Sequence, residues 1–131
     1  PVLSLRSKVV FIKEVPERTS ISYGRKYFTT SRTKIATIPI GYGDGYGRCL
    51  SNHADALIAG RRHPVVGTIC MDQVMVDIGI ESKVHVGDDV VLIGKSNGET
   101  ISAWDIARQL GTIPYEVLTG IAARVPRICV S

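Results

Sequence analysis

The chain has 131 residues, 44 % of them hydrophobic and 21 % charged, a globular composition at a length that suits one domain spanning residues 1–131. No apolar run approaches the roughly 20 residues of a membrane-spanning helix, so membrane and low-complexity readings drop out. The formal charge of +4 comes from scattered residues, with Arg61-Arg62-His63 the densest cluster, so nucleic acid is not the expected partner. Cys49, Cys70 and Cys129 are odd in number and form no CxxC pair, which suits reduced thiols in a cytoplasmic protein better than a disulfide framework or zinc site. The chain opens Pro1-Val2-Leu3-Ser4-Leu5, without an initiator Met or a basic-then-apolar leader pattern, and is expected to continue upstream.

Strand signals come first. Val2 to Leu5 alternates, Val9 to Ile12 is a short apolar run, and Lys34 to Ile40 is rich in β-branched residues. Ala56 to Ala59, a polar tip at Gly60-Arg61-Arg62, and Pro64 to Val66 predict a hairpin. Gln73 to Ile78 and Val90 to Ile93 predict further strands, with turn chemistry at Gly87-Asp88-Asp89 and Ser96-Asn97-Gly98 on either side of the latter. Ser102 as N-cap, Asp105 in the first turn, and Ala103, Ile106, Ala107 and Leu110 at helical spacing before Gly111 predict a helix. Thr112 to Thr119 predicts a second, short one with Pro114 in its first turn. Ile121 to Val130 is expected to close as an edge-tolerant strand broken by Pro126. Many short strands with one or two late helices predict a mainly β fold, an antiparallel, Greek-key-like β-barrel.

Glycine alternates through Gly41-Tyr42-Gly43-Asp44-Gly45-Tyr46-Gly47, which lets backbone approach a ligand or makes a turn between strands. The lack of a following Lys-Ser/Thr, of GxGxxG spacing and of a helix dipole argues against a nucleotide loop. Cys70 has no histidine nearby in sequence and is read as an inert small hydrophobe rather than a nucleophile. His53, His63 and His85 stand far apart in loop-like contexts, so no metal site is expected. Tyr23, Tyr42 and Tyr115, taken singly, are ordinary half-buried or surface aromatics.

Taken in order, Ser22-Tyr23-Gly24, Gly41 to Gly45, Cys70-Met71-Asp72-Gln73, Thr112-Ile113-Pro114-Tyr115-Glu116 and Arg124-Val125-Pro126-Arg127 closely resemble the carboxy-terminal domain of alanine racemase. The resemblance runs almost end to end. It implies an isomerase that uses pyridoxal 5'-phosphate, held through a lysine in a preceding α/β barrel domain that this chain lacks. It further implies a homodimer whose active site lies between one subunit's barrel and the other's carboxy-terminal domain. Alanine is the expected substrate, with serine the alternative, and the expected role is D-alanine supply for peptidoglycan.

Racemisation removes a proton from one face of the α-carbon and returns one to the other, so two bases must flank the substrate. The resemblance gives one face to the cofactor lysine and the other to Tyr23. A phenol titrates near 10 in water, so Tyr23 needs cationic or hydrogen-bonding neighbours, which are expected from the other domain. The resemblance places Tyr42 and Arg48 along the substrate entrance, gives the substrate carboxylate to the backbone N–H of Met71 with Asp72 shaping the same place, and gives the cofactor phosphate to Tyr115. Arg124 and Arg127 match the closing signature and are expected to serve interface and folding. This sequence departs from the pattern at Thr68, where many members have Arg in the entrance corridor, at Gly43 for Ala, at Pro114 for Asn, and near Glu17-Arg18-Thr19, where the usual turn glycine is missing. Two rivals remain: a small basic β-barrel stacking single-stranded nucleic acid on Tyr23, Tyr27, Tyr42 and Tyr46, and an interaction module without catalysis.

Overall fold

The computed structural model describes residues 4–47, 50–52, 54–123 and 125–128, without the side chains of Tyr23, Tyr115 and Thr119. Eight strands and two helices follow in chain order: β1 (Leu5–Lys8), β2 (Phe11–Val15), β3 (Thr33–Ile38), β4 (Asp55–Ile58), β5 (Arg61–Val66), β6 (Val74–Asp77), β7 (Asp89–Ser96), β8 (Glu99–Ile101), α1 (Ala103–Leu110) and α2 (Pro114–Thr119). Every strand pair is antiparallel. The sheet order is β1-β7-β4-β5-β6-β3-β2, with β8 paired to β7.

β1 and β2 stand at opposite ends of that path, yet only Val9 and Val10 separate them, so the sheet must curl until its ends meet. The junction is hydrogen-bonded to both sides: the Val9 N–H donates to Asp88 O at 3.0 Å and the Val10 N–H to Thr37 O at 3.0 Å. The fold is thus the expected mainly β, barrel-like sheet with two short late helices. Its interior is filled by the inward residues of β3 to β7, among them Ile38, Leu57, Ile58, Val65, Val76 and Leu92.

Turn chemistry sets the strand ends. In the β4–β5 hairpin Ile58 pairs with Arg61, so the two-residue turn is Ala59-Gly60, with φ of 52° and 77°, one residue earlier than the expected tip. This is the doubly positive geometry that fits the twist of a hairpin. Asn97-Gly98 makes the same turn between β7 and β8, a strand the sequence reading missed because Glu99-Thr100-Ile101 is too short to show a period. α1 carries the expected cap: Asp105 N–H donates to Ser102 Oγ, Ser102 N–H donates back to Asp105 Oδ2, and Gly111 ends the helix at φ 70°.

The closing strand expected over Ile121 to Val130 does not form among the described residues of that stretch. The Arg127 guanidinium takes the carbonyls a strand would have paired, donating to Ala122 O at 2.6 Å, Val125 O at 2.7 Å and Ile121 O at 2.9 Å. Pro126 lacks the N–H a ladder would require. The folding role expected of Arg127 therefore has a geometry, whereas Arg124 lies outside the described residues.

Candidate active site

The approach to Tyr23 is anchored from below. Ile21 packs in a small apolar cluster with Val15, Ile35 and Val66, separate from the main interior, and its burial contributes on the order of 1.5–3 kcal/mol to fixing the segment. Its N–H donates to Tyr27 O, so residues 21–27 form a closed loop. A short 3-10 turn, Tyr23–Arg25, sits at the tip, entered through Ser22 at φ 67°, ψ 179°. That region is populated almost only by glycine and costs on the order of 1–3 kcal/mol for other residues. Gly24 (φ 80°) and Arg25 (φ 51°) also have positive φ, so the backbone on both sides of Tyr23 is left-handed. Arg25 turns its guanidinium over the Phe28 ring, 5.7 Å from the centroid.

Ser22 ties this tip to residues 67–70. Its Oγ donates to Thr68 O at 2.6 Å and lies 3.4 Å from Cys70 Sγ. Gly67, at φ 75°, passes so close to the tip that a Cβ would fall 2.7 Å from Ile21 O. Thr68 itself is 8 % exposed and packs beneath Gly24, so the departure from Arg puts a small, enclosed side chain at the foot of the tip.

The glycine-rich loop docks on the other side of the same segment. It forms a 3-10 turn, Tyr42–Asp44, where an open turn between strands was expected. The Tyr42 N–H donates to Cys70 O at 3.0 Å and the Gly43 N–H to Met71 O at 2.9 Å. A side chain on Gly41 would meet Cys70 O at 2.1 Å, so glycine is required there by close approach. Asp44 is buried and its Oδ2 accepts from the Gly41 N–H, while its carbonyl accepts from the Ala122 N–H. Gly45 in turn lies against Gly120 at the end of α2. Four stretches that are far apart in sequence, 22–24, 41–45, 67–72 and 113–120, are thus joined by one continuous set of contacts, through the Ser22 side chain at the first and through backbone at the others.

Tyr42 is 42 % and Met71 57 % exposed, Asp72 is exposed next to Met71, and Ile113 is exposed at the start of α2. Among the described residues no acceptor meets the Met71 N–H, which lies in the turn closed by Cys70 N–H to Gln73 O. The side chains of Tyr23 and Tyr115 and the whole of Arg48 lie outside the described residues. Tyr46, by contrast, is only 2 % exposed, and its burial holds the phenol well above its ordinary titration range. It cannot stack a base, and Tyr27 is half-buried, so the four-tyrosine platform of the nucleic-acid reading does not exist on this surface. The buried Asp44, which fixes the loop, is a residue that sequence reasoning left without a role; its capping position three residues after Gly41 was the available signal.

Comparison with known proteins agrees with this architecture. Residues 2–129 match the family described as Alanine racemase, C-terminal domain. The chain is 53 % identical over 128 residues to Alanine racemase 2 of Caldanaerobacter subterraneus subsp. tengcongensis, covering 98 % of this chain and 33 % of that protein. It is 51 % identical over 127 residues to the alanine racemase of Halothermothrix orenii, covering 97 % of this chain and 34 % of that one. Among solved structures, the Bacillus anthracis alanine racemase with bound L-Ala-P superposes with a TM-score of 0.92 at 43 % identity, over 98 % of this chain and 32 % of that one. The Clostridium difficile alanine racemase in complex with cycloserine gives 0.85 at 48 % identity, over 93 % and 32 %. The chain therefore spans about a third of the length of the curated relatives it matches. With the match running over nearly all of its residues, the chain belongs to the family of alanine racemase carboxy-terminal domains.

Proposed function

We propose that this chain is the carboxy-terminal part of a pyridoxal-phosphate-dependent alanine racemase that interconverts L- and D-alanine in the cytoplasm, supplying D-alanine for peptidoglycan. In this reading it works in a homodimer, where it completes a site on the preceding α/β barrel of the other subunit. Tyr23 is the base for one face of the substrate, the Met71 N–H holds the carboxylate, Asp72, Tyr42 and Arg48 shape the entrance, and Tyr115 meets the cofactor phosphate.

The observation that carries the reading is the junction of the 22–24 tip and the 41–43 turn on the single segment 68–72. A proton-transfer group and an outward backbone donor on one rigid junction are what a two-base reaction needs on one side of its substrate. A fixed N–H also suits a carboxylate because it cannot neutralise it by giving up its proton.

The described residues do not fit the cofactor on their own. A groove of about 500 Å³ carries two carboxylates, Asp44 and Asp72, against Arg6. One of about 430 Å³ mixes apolar side chains such as Phe11, Ile35 and Met75 with the polar Ser20, Ser22, Thr37 and Gln73, and Lys13 is its one basic group. The first would meet a phosphate with two carboxylates against one cation and the second with a single cation, so this reading assigns the cofactor's main hold to the preceding domain. When bound there, it supplies the electron sink that makes the α-proton acidic. This chain's task is to orient the carboxylate and to hold or return the proton at the Tyr23 oxygen.

Tyr23→Phe in the full-length protein tests the assignment, since it removes the oxygen and keeps nearly all the ring. Racemisation should fall by at least the ~10²–10⁴ typical of losing a general base, with cofactor absorbance intact. Exchange of the α-proton with solvent should be lost mainly for L-alanine and persist for D-alanine, where the lysine still acts. Near wild-type turnover would remove Tyr23 from the mechanism.

A further inference from the structure

We propose that the Ser22 hydroxyl is a positioning residue that sets the distance between the Tyr23 base and the Met71 carboxylate donor; the inference rests on the assignment of those two residues above. Ser22 immediately precedes Tyr23 and holds a backbone conformation, φ 67°, ψ 179°, that serine disfavours. Such a conformation persists only where surrounding contacts over-determine it. Here they do: Ser22 Oγ donates to Thr68 O at 2.6 Å and lies 3.4 Å from Cys70 Sγ, and Gly67 leaves space for the Ser22 Cβ, which a Cβ of its own would approach to 3.0 Å.

The segment it grips, 67–70, runs directly into Met71. That segment is independently fixed by Tyr42 N–H to Cys70 O and by Cys70 N–H to Gln73 O. The hydroxyl is therefore the side-chain strap between the two halves of the site, and without it the contorted backbone has reason to relax toward ordinary angles and carry Tyr23 with it. Glycine would hold the angles without strain but not the strap. Reacting groups displaced by about 1 Å lose about 10²-fold in rate.

The test uses the full-length protein with Ser22→Ala, Ser22→Gly, Tyr23→Phe and the double variants. Either Ser22 variant should lower kcat about 10²-fold with a smaller change in KM and with cofactor absorbance retained. Solvent exchange of the α-proton should drop for L-alanine and hold for D-alanine. In the Tyr23→Phe background the Ser22 changes should cost nothing further, since they act through a group already removed. If Ser22→Ala does not fold, Ser22→Gly, which accepts the backbone angles, decides. Wild-type kcat in the Ser22 variants, an equal loss for both enantiomers, or a full additional loss in the double variant would each overturn the strap. Wild-type turnover in Tyr23→Phe would instead overturn the assignment of Tyr23 itself, and the strap with it.

Discussion

A Cβ on Gly45 would sit 2.2 Å from the carbonyl oxygen of Gly120, so the glycine-rich loop and the end of α2 meet backbone to backbone. Gly45 also has φ 96°, and Gly79 has a comparable φ of 83° with nothing within 4 Å of its would-be Cβ. The two positions separate conformational strain from collision. Gly79→Ala should cost only the ~1–2 kcal/mol of the left-handed conformation. Gly45→Ala should cost clearly more, because backbone on both sides cannot step aside as a flexible side chain would. Urea unfolding of the 131-residue chain and both variants measures the difference; equal costs would mean the loop and helix do not meet as described.

The Arg127 fork joins three carbonyls of residues 121–125 at once. Arg127→Lys keeps the charge but cannot reach all three, so lysine should rescue little of the loss in Arg127→Ala. The cost should be about 1–2 kcal/mol, in the range of hydrogen bonds from a charged donor at a partly exposed place. Hydrogen exchange should quicken at the Val125 amide, which donates to Ala122 O within that segment, and at the Ala122 amide, which ties the segment to Asp44 O.

Asp105 reports on the helix cap through pH. The Ser102 backbone N–H, then the Ser102 hydroxyl and Arg108, hold its carboxyl below the usual range. A carboxylate whose folded pKa is depressed stabilises the fold above its unfolded value of about 3.8 and loses that contribution as pH falls through the folded one. Asp105→Asn should therefore melt lower than the parent at about pH 7, and the gap should narrow as the pH falls below the ordinary aspartate range. Ser102→Ala should cost ~1 kcal/mol as a lost N-cap.

Tyr46 makes the opposite case. Its hydroxyl is buried and meets no partner among the described residues. A buried polar atom without a partner costs roughly 1–3 kcal/mol, so Tyr46→Phe should be neutral or stabilising. A fall in melting temperature would reveal a hydrogen bond that the surroundings supply.

Much of this was legible in sequence because local chemistry and global fold agree. Ser102, Asp105 and Gly111 announce α1 from three independent rules, and the structure keeps all three. Ala59-Gly60 was offset by one residue because alanine is a poor signal for positive φ, and only the pairing of Ile58 with Arg61 fixes the turn. The missing turn glycine near Arg18 is a similar case: Arg18 takes φ 63° itself, held by its N–H to Thr29 O and by the Thr19 and Thr29 hydroxyls, which both donate to Pro16 O. The closing strand was misread because Ile121 to Val130 has strand-like residues, while the side chain of Arg127 competes for their carbonyls, a contact no period reveals. The Ser22 strap and the buried Asp44 belong to the same class, since they depend on partners that only the folded chain brings near. The motif set pointed to these stretches, but not to the contacts that join them.

The two-residue joint at Val9-Val10 has a consequence for how the chain folds. Among the described residues β1 pairs with β7 alone, so the earliest strand of this stretch waits for the seventh before its ladder exists, while β2 needs only β3. Closure must bridge most of the chain, a non-local step that slows folding relative to its stability. Until then β1 is an unpaired edge, open to pairing with a neighbouring chain. Its solvent-side residues Arg6 and Lys8 place positive charge on that edge during the wait.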